Sequence, residues 1–161
     1  MRLHALKQPQ GQRGMAMVEF TIVLPLMLLL LLALGEFGRM LFQYNTLLQA
    51  SRDAGRYVAS QAWNSTLGYA VVTSGSTLET QTKNVAVYGV PVNTGTPVVS
   101  GLTTGNVTVV AVGTDHVRVT ITYTFCPVIG AGACTGSITG LFANTIALSI
   151  PLVASTVMRA L

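Results

Sequence analysis

The chain has 161 residues, half of them hydrophobic and only 9% charged. A soluble domain usually carries about 25% charged residues, so this balance points to a membrane segment beside one modest domain. The net charge is +4, but the basic residues are scattered: Arg2, Lys7 and Arg13 near the start, Arg39, Arg52 and Arg56 after an apolar run, and Lys83, Arg118 and Arg159 alone. Nucleic-acid binding draws on a basic stripe that releases counterions, and no such run is present.

Residues 1–14 are polar, basic and free of acids, with nothing to pack a core. Residues 15–35 form an apolar window whose only charge is Glu19. A bilayer core of about 30 Å needs roughly 20 apolar helical residues, and this window fits. Pro25 lies inside it; Pro removes a helical hydrogen bond, yet membrane helices tolerate it. Residues 36–59 keep helical periodicity and turn amphipathic. Phe37, Met40, Leu41, Tyr44, Leu47, Leu48, Ala54 and Val58 recur at i, i+3, i+4 spacing, with Arg39, Gln43, Arg52, Asp53 and Arg56 mostly on other faces. One long helix over 15–60 follows, half spanning a membrane and half offering an apolar stripe outside it. Gly35 and Gly38 weaken helix propensity near the junction.

From Trp63 onward the chain becomes rich in Val, Thr, Gly and Ser. Residues 116–125 alternate cleanly, with Val117, Val119, Ile121, Tyr123 and Phe125 on one face and Arg118, Thr120, Thr122 and Thr124 on the other. That pattern predicts a strand. Residues 106–112 predict a second, joined to it by a hairpin connection through Gly113, Thr114 and Asp115. Residues 83–90 and 144–150 are read as further strands. Pro151 places the last strand at an edge or ends it. The expected architecture is therefore α+β: a long N-terminal transmembrane and amphipathic helix, then a small antiparallel β domain. Its parts are a basic leader (1–14), the helix (15–60) and an exported β-rich domain (61–161).

Two cysteines, Cys126 and Cys134, lie close together and far past the apolar run. In an exported domain they are expected to form a disulfide; two buried free thiols are the alternative. Tetrahedral zinc wants four ligands, and His116 is the only histidine outside the leader, so no cofactor or metal is expected.

The boundary between leader and apolar run is the informative place. The leader ends in Arg13-Gly14, the helix begins at Met15, and Glu19 is its fifth residue. A charge at the centre of a membrane helix costs about 2.5–3.5 kcal/mol, less near the interface, so Glu19 needs a reason. Cleavage between Gly14 and Met15 supplies one. The new α-amine of Met15 is a cation within a helical turn of Glu19, on the same chain or on a neighbouring subunit. The competing reading is an accidental interfacial Glu.

Residues 13–60 resemble the TadE/TadG-like family of pilus-assembly proteins. The matching pieces are Arg13-Gly14 followed by Glu19-Phe20, the run Val23-Leu24-Pro25-Leu26, Glu36-Phe37-Gly38-Arg39, and Ala50 to Arg56. The resemblance implies a minor type IV pilin-like component of the tight-adherence (Flp) pilus machinery, cleaved by a prepilin peptidase. It implies an inner-membrane protein with a cytoplasmic N-terminus and a periplasmic β domain, whose partners are other pilin-like subunits. Positive charges flank the apolar run almost equally, so the positive-inside rule does not orient it. Major Flp pilins are much shorter and typically carry Glu-Tyr where this chain has Glu19-Phe20.

Two other classes of function compete. In one, the leader and apolar run are a secretory signal peptide with a small-residue site at Ala33-Leu34-Gly35, releasing an exported β-domain protein. The apolar region is longer than the usual h-region and contains Glu19, which argues against this. In the other, Asp115-His116 marks an enzyme. Adjacent hairpin residues usually point apart, and no paired carboxylates or nucleophile motif accompany them. Neither an enzyme nor a small-molecule substrate is expected.

Overall fold

The computed structural model describes residues 12–128, 137–139, 145–147 and 149–161. Helix α1 runs unbroken over Gln12–Ala59 and carries Pro25 within it. It starts slightly before the expected position, since nothing in Gln12, Arg13 or Gly14 stops a helix that the apolar run propagates. Compact units divide inside this helix, with residues 1–38 in one and 39–161 in the other.

In the first unit α1 is long and apolar enough to cross a membrane. Its most apolar 18-residue window has a mean hydropathy of 2.5, and none of that window is buried within the protein. Ile22, Leu26, Leu29 and Leu31 are all more than three-fifths exposed, an arrangement that water disfavours and a lipid solvent accepts. Thr21 donates its hydroxyl proton to the carbonyl of Met17 at 2.7 Å. Its polar group is thereby satisfied without water, as a hydrocarbon surrounding requires.

The second unit is a two-layer α+β domain. Its sheet has the strand order β3-β4-β7, antiparallel throughout, with β3 at Val107–Val112, β4 at His116–Phe125 and β7 at Ile150–Arg159. Alternation divides it cleanly. Val107, Val109, Val117, Val119, Ile121, Phe125, Leu152 and Ala154 are buried on one face, while Thr108, Val110, Arg118, Thr122, Thr124, Val153, Ser155 and Val157 are exposed on the other. The amphipathic stretch of α1 covers the buried face with Leu47, Ala50, Ser51, Ala54 and Val58. Small residues let it come close. The Ser51 hydroxyl lies 2.8 Å from that of Thr156 on β7, and a Cβ added at Gly55 would stand 3.4 Å from Met158 Sδ.

A second helix, α2 at Thr77–Tyr88, completes the helical layer and joins α1 where the Tyr57 hydroxyl donates to Gln81 Oε1 at 2.9 Å. It overturns the strand expected over residues 83–90. The β-branched run at Val85 and Val87 favours a strand, but the ends of the segment are built for a helix. Ser76 accepts from the backbone N–H of Glu79, and Glu79 reaches back to the N–H of Gly75 at 2.6 Å. That is a capping-box arrangement displaced by one residue. Gly89 then ends the helix in the left-handed region at φ 75°.

The expected hairpin after β3 is present, with Gly113 at φ 67° and Val112 paired to His116. Among the described residues, the strand expected over residues 144–150 is present only as a short strand at Thr145–Ala147, and the long final strand begins at Ile150, where the expected one ended. Pro151 sits near the start of β7, an outer strand of the three, where its missing N–H breaks no central ladder. The described residues also form a 3-10 turn at Thr104–Asn106 and two short antiparallel pairs: β1 at Trp63–Asn64 with β2 at Tyr69–Ala70, and β5 at Ser137–Thr139 with β6 at Thr145–Ala147.

Candidate functional site

Gly14 lies in the first turns of α1, with nothing within 4 Å of a Cβ added there. Met15, Glu19 and Phe20 follow on exposed helix, with Met15 74% and Phe20 64% exposed. Positions three and four apart on a helix are neighbours. That rule places Met15, Ala16, Glu19, Phe20 and Val23 on one face, with the last four lining a shallow depression around the carboxylate. Glu19 makes no ion pair among the described residues. The face thus presents a carboxylate beside an aromatic ring and small or branched apolar groups.

The second unit begins with Arg39. Its Nη2 donates to the carbonyl oxygen of Cys126 at 2.7 Å, and its guanidinium carbon lies 4.9 Å from the centroid of the Phe125 ring. One side chain therefore ties α1 to the end of β4 by a charge-assisted hydrogen bond and a cation–π contact. Cys126 follows β4 directly; Cys134 lies outside the described residues. Sequence reading placed Arg39 in the Glu36-Phe37-Gly38-Arg39 motif but gave it no role. The signal available was an Arg just past an apolar run with an aromatic-rich strand elsewhere, which is too common to single it out.

Asp115 and His116 do meet, contrary to the expectation that they point apart. His116 Nδ1 and Asp115 Oδ1 are 2.7 Å apart, and Arg159 Nε lies 3.3 Å from Asp115 Oδ2. The cause is register. Arg159 on β7 is paired with His116 on β4, so the carboxylate is drawn over the strand end and reaches both. The backbone carbonyl of Asp115 also accepts from the N–H of Ala160 at 2.7 Å. This group clips the hairpin to the end of β7.

On α2, Glu79 stands 2.8 Å from Lys83 Nζ. The hydrogen bond from Lys83 and that from the Gly75 N–H hold the Glu79 carboxyl below the usual carboxylate range. Among the described residues no group of three His, Cys, Asp or Glu side chains could hold a metal ion.

Residues 14–56 match the family model of the TadE-like proteins. The match lies wholly within α1 and starts at Gly14, so it takes in the Glu19 face, the apolar span and the stripe that packs on the sheet. The TadE-like resemblance read from residues 13–60 is thereby borne out. The remaining domain falls outside the match. No curated protein and no solved structure matches the chain.

Proposed function

We propose that this protein is a minor pilin-like subunit of the Tad/Flp pilus machinery that works by helix packing, not by chemistry. A prepilin peptidase would remove residues 1–14, the apolar half of α1 would stay in the inner membrane, and residues 61–161 would lie in the periplasm. The observation that carries this reading is the TadE-like match beginning at Gly14, together with Glu19 on an exposed apolar helix face, where it makes no ion pair among the described residues.

Physical reasoning gives Glu19 a task after processing. Cleavage after Gly14 turns the Met15 nitrogen into an α-amine and brings the helix N-terminus close to Glu19. The positive end of the helix macrodipole favours a carboxylate there. The amine, on the same subunit or on a neighbour, supplies a counter-charge in a low-dielectric setting where pairing matters most. Such a pair would set the register of one subunit against the next.

Substituting Glu19 tests this directly. Glu19→Ala removes a charge from the membrane helix, so insertion is expected to be as good or better, and cleavage is expected to persist because the residue lies past the cut. Co-purification with pilin-like partners and the number of surface pili are expected to fall. A variant that is cleaved, inserted and fully competent in both would remove Glu19 from the mechanism. A protein found released, with its N-terminus near Glu36, would favour the secretory reading instead.

A further inference from the structure

The second unit carries a groove that the helix-packing role does not use. It measures about 420 Å³ and is lined in part by Gln61, Trp63, Asn64, Ser65, Thr73 and Leu78. Small-ligand sites commonly span about 300–1,000 Å³. Trp63 is the chain's single tryptophan, and it is 41% exposed. Its exposed indole offers a large, rigid aromatic face on which a ligand can stack.

The indole sits on a fixed frame. Trp63 pairs with buried Ala70 in the β1–β2 hairpin. Asn64 Oδ1 accepts from the N–H groups of Thr66 and Leu67 at 3.0 and 3.1 Å, locking the turn. The N–H of Val71 bonds to Ala62 O at 2.8 Å, and that of Ala70 to Thr114 O at 2.7 Å, anchoring both arms.

Around this aromatic plate the groove is polar and uncharged. None of its lining residues is Asp, Glu, Lys or Arg. The side chains of Gln61, Ser65 and Thr73 make no hydrogen bond among the described residues, so their donors and acceptors are available. Ser76, at the groove's edge, is already committed to capping α2.

We propose that this groove binds a neutral glycan. A pyranose ring offers an apolar C–H face to stack on the Trp63 indole and a rim of hydroxyl or acetamido groups for Gln61, Ser65 and Thr73. An anionic sugar or a phosphorylated ligand would want a cation, and none lines the groove. An apolar peptide or a lipid surface would leave the free amide and hydroxyl groups facing hydrocarbon, a costly arrangement.

Trp63 is its own reporter. Full-length protein in zwitterionic-detergent micelles is titrated with chitotetraose and, separately, maltotetraose, following tryptophan emission. A saturable change with a Kd of about 1 mM or tighter is expected for at least one of them. Trp63→Ala, followed by calorimetry, is expected to weaken that binding at least about tenfold, a loss of about 1.4 kcal/mol. Thr73→Ala leaves the reporter in place and is expected to weaken it about threefold. The assignment is overturned if neither oligosaccharide gives a saturable change, if Thr73→Ala binds as the parent does, or if only phosphatidylcholine vesicles shift the emission.

Discussion

Replacing Arg39 with Ala removes the side chain that ties α1 to the end of β4. The interactions lost with it include the hydrogen bond to the Cys126 carbonyl at 2.7 Å and the guanidinium stacked 4.9 Å from the Phe125 ring centroid. A hydrogen bond from a charged group contributes about 1.5–3 kcal/mol, and a cation–π contact about 0.5–1 kcal/mol when partly exposed. Arg39 is half-buried, so water recovers part of the first when the side chain is cut back. A net loss of about 2 kcal/mol follows for the second unit, equivalent to a fall in melting temperature of about 5–10 °C. Trp63 emission reads the unfolding of that unit, because it is the chain's only tryptophan and lies outside the apolar span. Arg39→Lys keeps the charge but not the planar fork, and is expected to lose about half as much. Hydrogen exchange should rise at the backbone of residues 124–126 before it rises at residues 117–121. An Arg39→Ala protein that melts within about 1 °C of the parent, with unchanged exchange at the end of β4, would show that this contact holds nothing together.

Two further predictions concern the same domain. A disulfide between Cys126 and Cys134 is proposed to close the loop after β4; the described residues contain no free cysteine, which supports it, and such a loop contributes about 2–3 kcal/mol by the chain-entropy model. Non-reduced protein from the envelope should resist thiol alkylation, and rapid labelling of both cysteines would refute the bridge. Glu79 has its carboxyl held below the usual range by Lys83 and the Gly75 N–H, so its contribution is fully present above the unfolded value of about 4.3 and is lost as pH falls through the folded one. Glu79→Gln should cost about 1 kcal/mol at pH 7 and show a shallower loss of stability below pH 4 than the parent; parallel acid-melting curves would count against the assignment.

How far the sequence announced this structure depends on how regular each signal was. Residues 116–125 were read as a strand to the residue, because five apolar side chains alternate with polar ones and both ends carry turn chemistry. The long helix was equally plain, since no other element is apolar all round over so many residues. The helix α2 was missed because Val85 and Val87 speak for a strand, while the stronger evidence lay at the ends, in Ser76 with Glu79 and in Gly89. Most of β7 escaped for the opposite reason. Its inward Leu152, Ala154, Thr156 and Met158 and outward Val153, Ser155 and Val157 mix apolar and small polar groups on both faces, so no period of two stands out. At the site level, Gly14 and Glu19 were visible because they straddle a change of composition. Arg39 over Phe125 and Asp115 between His116 and Arg159 depend on which residues the sheet and helix bring together, and spacing along the chain does not carry that.

The N-terminal peptide of the mature protein, isolated from envelopes of its host, tests the pilin-like reading most directly. Processing by a prepilin peptidase predicts that the chain begins at Met15, and that Gly14→Asp, which sets a bulky anion where the peptidase must close on a glycine, accumulates as uncut precursor. A native N-terminus at Met1 or at Glu36 would contradict it.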